Sequence, residues 1–291
     1  MKKLNKTLKI IIWISIVIVF IAFCLWQNNS IVVSHFVYHN SRLPADFNNF
    51  KIVHISDLHN KMFGKEQAKL LNRIENLSPD LIIVTGDLID RRRFDLDTAE
   101  CFMRGAVKIA PTYYVSGNHE AWSGCYSQIK QRLDDLGVYI MDDTALDLSI
   151  GSSTIQLLDL ADPDFYTSNY LEETDISNLE AQLEQWSNSE EFKLLLTHRP
   201  ELFDLYCEHK IDLIFAGHAH GGQVRLPLIG GLAAPDQGLF PKYTSGSYNK
   251  GSSTMYVSRG LGNSIVPIRI FNRPEIVAVT LKNNYAPYSR K

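Results

Sequence analysis

Short apolar runs, each followed by a polar cluster and then by a stretch with helical spacing, recur along most of the chain. Runs of this length that are apolar throughout are typical of strands buried on both faces. They predict five strands: Phe50–Ser56, Leu81–Gly86, Thr112–Gly117, Phe192–Thr197 and Ile211–Gly217. The helical stretches predict five helices: Lys65–Leu77, Asp95–Ala110, Ala121–Leu136, Ile176–Trp186 and Glu201–His209. Strands that alternate with helices indicate βαβ units and helix-covered sheets.

Four further strand-like segments suggest that a second sheet is added: Ala145–Ile150, Thr154–Leu160, Thr254–Ser258 and Ile276–Leu281. No low-complexity linker divides residues 49 to 282, and no sequence repeat with a fixed period is present. We therefore expect one α/β domain over residues 49–282, followed by a short C-terminal tail at 283–291.

The N-terminal segment Leu8–Trp26 is apolar apart from Lys9 and Ser15. At about 1.5 Å per residue its length nearly matches a bilayer core of roughly 30 Å, which predicts a transmembrane anchor at 8–26. Lysines crowd the preceding residues, whereas the first basic residue after the segment is Arg42. The positive-inside rule then predicts a single-pass protein of the cell membrane, with a cytoplasmic tail at 1–7 and the domain on the outer face. The polar residues 27–48 are expected to form a stalk.

Three alternatives to an uncleaved anchor fit the sequence less well. A cleaved signal peptide needs a small-residue cleavage site after its apolar core, and Trp26-Gln27-Asn28-Asn29 offers none. A lipoprotein site at Cys24 is disfavoured because Phe23 stands where such sites have a small residue. A buried core helix is disfavoured because the segment is apolar on all sides and follows a lysine cluster.

Composition narrows the class of protein. The chain has 291 residues, of which 45% are hydrophobic, and a formal net charge of −3. It lacks the basic excess of a general nucleic-acid binder, so no nucleic-acid partner is expected. The four cysteines are widely spaced and one lies in the apolar segment. Neither a thiolate metal site nor a disulfide framework is therefore expected, and any metal is held by other groups.

Side chains that bind metals follow all five predicted strands: Asp57 and His59, Asp87, Asn118, His198, and His218 with His220. The carboxyl ends of parallel strands form the ligand crevice of an α/β sheet, so these side chains should converge. Residues two apart in an extended chain point the same way, which lets Asp57 and His59 reach one ion together.

Seven ligands exceed the needs of one ion, and two divalent ions that share a bridging carboxylate are the simpler interpretation. Asp87 is the natural bridge. The number of imidazoles disfavours magnesium or calcium alone, and the absence of thiolates disfavours the softest metals. Manganese, iron or zinc remains as the expected cofactor.

The order and spacing of these motifs resemble the five-motif signature of calcineurin-like metallophosphoesterases. The motifs are Asp57-x-His59, Gly86-Asp87, Gly117-Asn118-His119-Glu120, His198 and Gly217-His218-x-His220. The stretches from Gly217 to Pro227 and from Tyr256 to Gly262 are similar to those of a bacterial membrane-associated phosphodiesterase branch. The resemblance implies a four-layer α/β/β/α sandwich of two mixed sheets.

The resemblance also implies roles for individual residues. One ion would take Asp57, His59, Asp87 and His220, and the other would take Asp87, Asn118, His198 and His218. A hydroxide held by the two metals would attack phosphorus. His119 would be the catalytic residue that protonates the leaving oxygen or donates a hydrogen bond to the phosphoryl group, with Glu120 orienting it.

The expected substrate is a phosphate ester, namely a phosphodiester or pyrophosphate, and the anchor suggests a lipid-linked or envelope compound. Two other functions stay open: a phosphomonoesterase on the same core, and a catalytically inactive metal-binding scaffold. Arg91, Arg92 and Arg93 are candidate substrate-binding residues, although a solvated charge run has the same pattern. The segment Pro227–Tyr243 predicts either a loop at the pocket rim that faces lipid or substrate, or a packed connection.

Overall fold

The computed structural model describes residues 5–168, 174–263 and 266–283. Its helices are α1 (Lys6–Asn29), α2 (Ala68–Glu75), α3 (Leu96–Ala106), α4 (Asn118–Ala121), α5 (Tyr126–Asp134), α6 (Ser177–Ser187) and α7 (Phe203–Glu208). Its strands are β1 (Val32–His39), β2 (Lys51–Ile55), β3 (Leu81–Thr85), β4 (Thr112–Val115), β5 (Tyr139–Ile140), β6 (Ala145–Ile150), β7 (Ser153–Asp159), β8 (Lys193–Leu196), β9 (Leu213–Ala216), β10 (Arg225–Leu226), β11 (Gly230–Gly231), β12 (Ala233–Ala234), β13 (Gly238–Leu239), β14 (Gly246–Lys250), β15 (Ser253–Val257) and β16 (Glu275–Lys282).

Two six-stranded mixed sheets form the centre of the domain. The first has the order β1-β16-β2-β3-β4-β5, in which only the β16–β2 pair is antiparallel. The second has the order β14-β15-β9-β8-β7-β6, with antiparallel pairs at its two edges. The neighbouring parallel strands β2, β3 and β4 end at one edge of the first sheet, and β8 and β9 end together in the second.

The sheets pack face to face and helices cover their outer faces. Alternate side chains of a strand point to opposite faces. Accordingly Ile52 lies in the core between the sheets, whereas Val53 and Ile55 lie in the core beneath α2, α3 and α5. In the second sheet Leu194 faces the other sheet and Leu195 packs with the side chains of α6 and α7. The predicted four-layer α/β/β/α sandwich is confirmed.

The expected stalk at residues 27–48 is wrong for most of its length. Val32–His39 forms β1, which pairs in parallel with the last strand over eight residues, from Val32 opposite Glu275 to His39 opposite Lys282. Tyr38 and Leu43 are buried in the core between the sheets. The segment looked polar because an edge strand is only half covered, and its partner is too distant in sequence to leave a local pattern.

The helix α1 contains the whole predicted anchor. Its most apolar window has a mean hydropathy of 2.9, and none of that window is buried against the domain. The helix is therefore long and apolar enough to cross a membrane. Only two residues separate its end at Asn29 from the start of β1 at Val32.

The predicted helix Ala121–Leu136 is divided in the structure. A short helix, α4, contains the Asn118-His119-Glu120 motif, and α5 starts at Tyr126. Residues 122–125 form a turn between them, in which Gly124 has a positive φ of 68°, a conformation that glycine adopts readily.

Candidate metal centre

The predicted ligands all lie in the turns that follow strands. Asp57 and His59 follow β2, Asp87 follows β3, Asn118 opens α4 after β4, His198 follows β8, and His218 and His220 follow β9. Five of these residues have left-handed backbone: Asp57 (φ 53°), His59 (46°), Asp87 (53°), His218 (64°) and His220 (46°). This conformation costs free energy in residues other than glycine, so it persists only where the surrounding fold holds it in place. Such strained residues cluster at functional sites.

Glycines allow these turns to approach one another closely. A Cβ atom on Gly217 would lie 1.8 Å from Ser56 Oγ and 2.8 Å from Asp57 Oδ2. A Cβ atom on Gly117 would lie 2.4 Å from Asp87 Oδ1. Side chains at these two positions would push the ligand turns apart, which explains why glycine precedes the ligands.

A first group of donors consists of Asp57, His59, Asp87 and His220. One ligand atom from each lies within 4.8 Å of the others, and all four residues are buried. His59 Nε2 is 3.1 Å from His220 Nε2 and 3.3 Å from Asp87 Oδ2. Asp57 Oδ1 is 3.4 Å from His220 Nε2. Two carboxylates and two imidazoles therefore point at one location, as a divalent ion requires.

A second group consists of Asp87, His198 and His218, whose ligand atoms meet the same limit. His198 Nε2 is 3.4 Å from Asp87 Oδ2 and 3.1 Å from His218 Nδ1. Asn118 lines one cavity with His218 and His220, and its Oδ1 atom is buried without a hydrogen-bond partner among the described residues. Asp87 belongs to both groups, so it lies where a bridging carboxylate would be needed.

The protonation of the first donor group suits metal binding. Burial lowers the pKa of His59 to about 3 and lowers that of His220 well below its usual value, so both imidazoles are neutral. Burial raises the pKa of Asp57 to about 6, which leaves a carboxylate at neutral pH. Burial also opposes charge on Asp87, but His198 and His119 hold its pKa well below the usual range. Carboxylates and neutral imidazoles are the ligand forms that divalent metals bind.

His198 is oriented by the backbone of the neighbouring strand. Its Nδ1 atom lies 2.7 Å from the carbonyl oxygen of Thr85, which can only accept, so Nδ1 donates and Nε2 faces Asp87. Burial disfavours the imidazolium, but Asp87 raises the pKa of His198 to about 10. A metal ion that binds Nε2 would therefore displace a proton.

His119 lies against the first donor group. Its ring centroid is 4.5 Å from that of His59, and its backbone N–H donates to Asp87 Oδ1 at 2.9 Å. Arg91 N–H donates to His119 Nδ1 at 3.1 Å, which places the proton of the neutral ring on Nε2. Burial lowers the pKa of His119, so this neutral tautomer is the dominant form at neutral pH.

Glu120 contacts the turns that carry the ligands. Its carboxylate accepts backbone N–H groups from Asp87 at 2.8 Å, Gly117 at 2.8 Å and Ile89 at 3.2 Å. These bonds join the turns after β3 and β4, which carry the central carboxylate and the start of α4. The residue thus has a backbone-positioning role that the motif alone did not indicate.

An acidic residue on a loop distant in sequence contacts His218. Asp236, between β12 and β13, lies 2.7 Å from His218 Nε2 through Oδ2, while His218 Nδ1 faces His198. Arg199 also contacts Asp236, and its buried guanidinium binds both carboxylate oxygens of Asp162 at 2.7 Å. Sequence reasoning missed these residues. Arg199 directly follows a ligand and was a detectable signal, whereas nothing local marks Asp236.

The three arginines after Asp87 are placed differently from one another. Arg92 and Arg93 form ion pairs with the buried Asp90 at 3.2 Å and 3.0 Å. Arg93 also lines a cavity of about 450 Å³ together with His59. Arg91 contributes its backbone N–H to His119. A substrate-binding role for these arginines stays a prediction.

The donor groups open into a cavity of about 500 Å³. Asn118, His218 and His220 are among its polar lining residues, and Trp122, Ala233 and Val266 are among its apolar ones. A cavity that combines polar groups with apolar side chains is typical of a small-molecule site.

The fold and the two donor groups define an α/β sandwich protein with a candidate metal-binding centre. The calcineurin-like phosphoesterase family model matches residues 50–222, and the chain belongs to that family. The protein is 32% identical over 259 residues to an uncharacterised metallophosphoesterase, YkuE, of Bacillus subtilis, with 84% of this chain and 83% of that protein covered.

Two other relatives have names that specify an activity or a membrane location. Phosphodiesterase YaeI of Escherichia coli is 27% identical over 80% of this chain and 82% of its own length. A transmembrane protein with a metallophosphoesterase domain from Bos taurus is 31% identical over 83% of this chain and 55% of its own length. The predicted family is thus confirmed, and membrane attachment occurs among its relatives.

Proposed function

We propose that this chain is a membrane-anchored phosphoesterase that hydrolyses phosphodiester or pyrophosphate bonds with two divalent metal ions. The observation that supports this most strongly is the pair of buried donor groups that share Asp87. Their carboxylate, imidazole and amide donors, without thiolate, suit manganese, iron or zinc. When bound, two such ions would supply an activated water and stabilise the negative charge that develops on the phosphoryl oxygens.

The chain's own residues would position these ions and the substrate. Asp57, His59, Asp87 and His220 would hold one ion, and Asp87, Asn118, His198 and His218 would hold the other. His119 would donate a hydrogen bond from its Nε2–H group to the phosphoryl group, because its neutral ring holds no proton acidic enough to transfer to the leaving oxygen. Trp122 and Val266 would exclude water from one side of the cavity, where the rest of the substrate binds.

We propose further that α1 spans the cell membrane once, with its N-terminus in the cytoplasm and the domain on the outer face. The lysines that precede the apolar segment support this orientation. A lipid-linked or envelope substrate would then be within reach of the domain.

The test uses the full chain, purified in detergent and supplied with manganese, and compares a chromogenic phosphodiester with a chromogenic monoester. We expect chelator-sensitive hydrolysis with the diester preferred. Faster turnover of the monoester would identify a phosphomonoesterase. Bound metal without turnover of either ester would identify a metal-binding scaffold. The Asp87→Ala variant is the background control.

A further inference from the structure

The end of α1 packs against the domain. The ring of Phe23 lies 5.6 Å from that of Phe271, and the guanidinium of Arg273 lies 4.9 Å from the ring centre of Trp26. Asn28 Oδ1 accepts a hydrogen bond from Asn263 Nδ2 at 2.8 Å. These contacts come from the last turns of α1, so the domain is held directly at the end of the apolar helix.

The contact between Phe23 and Phe271 indicates how deep Phe271 would lie relative to the bilayer. Phe23 is three residues before Trp26, which corresponds to about 4.5 Å along a helix axis. If α1 crosses the bilayer as proposed, Phe23 lies within the apolar layer and Trp26 lies near the interface. Phe271, packed against Phe23, must then lie at the boundary between acyl chains and headgroups.

Exposed apolar side chains continue from this point across the domain. Val266, Ile268 and Phe271 are exposed by 41%, 38% and 55%. The hairpin of β10 and β11 lies beside them, because Arg225 N–H donates to the carbonyl of Ile270 at 2.9 Å. Side chains at the hairpin tip, Leu228 and Ile229, are exposed by 108% and 60%. Several large apolar side chains exposed on neighbouring segments are typical of an interaction site.

Basic residues flank the same end of the helix. Lys69 and Arg73 line a cavity with Trp26 and Asn29, and both are exposed. Long basic side chains near a helix end commonly reach the headgroup phosphates. Apolar side chains at the boundary, with cations at headgroup level, match a lipid surface better than a protein partner.

We propose that Val266, Ile268, Phe271, Leu226, Leu228 and Ile229 form a membrane-docking surface that enters the bilayer interface beside α1. This inference rests on the proposed membrane span. Val266 also lines the cavity of the metal centre, so docking places that cavity at headgroup level. A phosphate ester in a lipid headgroup can then reach the donor groups while its acyl chains stay in the bilayer.

The first test places an environment-sensitive fluorophore on the hairpin tip. The full chain carries Leu228→Cys, with Cys24→Ala, Cys101→Ala, Cys125→Ala and Cys207→Ala, and is reconstituted into lipid nanodiscs with one chain per disc. The matched control carries Ser152→Cys, which lies on the turn before β7, at the opposite end of the parallel strands, and is exposed.

We expect a fluorophore at position 228 to emit at shorter wavelength than it does in water and to be quenched by lipids brominated near the headgroup. A fluorophore at position 152 should keep its water-like emission and should not be quenched. Water-like emission at both positions would overturn the proposal. A shift that needs two chains per disc would also overturn it, because a second copy would then cover the surface.

A second measurement needs no substitution. The unmodified chain is reconstituted into vesicles that contain a lipid with a photoreactive group near its headgroup, and adducts are mapped by mass spectrometry. We expect adducts in the hairpin and around Phe271 as well as in α1, and adducts confined to α1 would contradict docking. Hydrolysis of a soluble chromogenic diester is measured on the same samples. Active protein without hairpin adducts refutes docking alone, whereas inactive protein with them refutes only the phosphoesterase.

Discussion

Replacing Asp236 tests whether a carboxylate outside the predicted ligand set controls metal binding. His218 faces His198 through Nδ1, so its Nε2 atom is left to donate to Asp236 Oδ2 at 2.7 Å. This hydrogen bond holds the pKa of Asp236 well below its usual range. A carboxylate behind a ligating imidazole fixes the tautomer and makes the ligand more basic. The Asp236→Ala variant removes both effects, and Asp236→Asn keeps an acceptor without the charge.

The size of the effect follows from the type of contact. Loss of such a partner typically weakens metal affinity or activity by about 10- to 100-fold, which corresponds to about 1.4 to 2.8 kcal/mol. The side chain of Asp236 is 45% exposed. Substitutions at partly exposed positions usually change the free energy of unfolding only slightly. Arg199 keeps its ion pairs with Asp162 and Asp164, so the buried guanidinium stays paired. We therefore expect a loss of manganese affinity without a comparable loss of stability, and a smaller loss for Asp236→Asn than for Asp236→Ala.

The assay is calorimetric titration of manganese into the metal-free full chain, together with activity as a function of manganese concentration. The matched control is Asp204→Asn, which removes an exposed carboxylate of α7 that pairs with Lys250. Excess manganese should restore most of the activity of Asp236→Ala. The reasoning is refuted if Asp236→Ala binds manganese as tightly as the unmodified chain while His218→Ala does not.

Asp87→Ala should remove metal from both donor groups and abolish hydrolysis, because both groups share this carboxylate; metal content measured by mass spectrometry checks this, and two retained ions would contradict it. His119→Ala should keep its metal but slow hydrolysis by about 10²- to 10⁴-fold, and a metal-free variant would show that His119 has a different role. Arg199→Met should lower the free energy of unfolding by about 3 to 5 kcal/mol because it strands buried Asp162; unfolding in urea checks this, and an unchanged midpoint would contradict it. Burial raises the pKa of Asp90, but the ion pairs with Arg92 and Arg93 outweigh it and lower that pKa to about 2. The ionised Asp90 should therefore stabilise the fold above pH of about 4, and this contribution should be lost as the pH falls toward 2. Asp90→Asn should show a smaller loss of stability between pH 5 and pH 3 in the same assay, and an identical loss would contradict this.

The convergence of the candidate ligands was predictable because these residues obey a topological rule. Each predicted ligand directly follows a strand that is apolar enough to recognise, and parallel strands bring their carboxyl ends together. Asp57 and Asp87 could therefore be placed side by side without knowledge of the register. Asp236 could not be found in this way, because it reaches His218 from a loop whose position depends on tertiary packing.

The elements that were missed lack a local pattern. The strand β1 is half covered and alternates weakly, and its partner β16 lies more than two hundred residues away in the chain. The break between α4 and α5 is a four-residue turn at 122–125 that contains Gly124, and no polar or proline-rich cluster marks it in the sequence. Periodicity detects buried faces, so it fails where an element lies at an edge or where a short turn decides the boundary.

The pairing of the first strand with the last has a consequence for biosynthesis. During translation α1 and β1 leave the ribosome long before β16 exists, so the edge next to β2 cannot close until the final residues emerge. The apolar helix α1 is therefore complete while this sheet is still open. A chain cut short before Glu275 would keep α1 but would lose the strand that joins β1 to β2, and it would leave the edges of both strands unpaired.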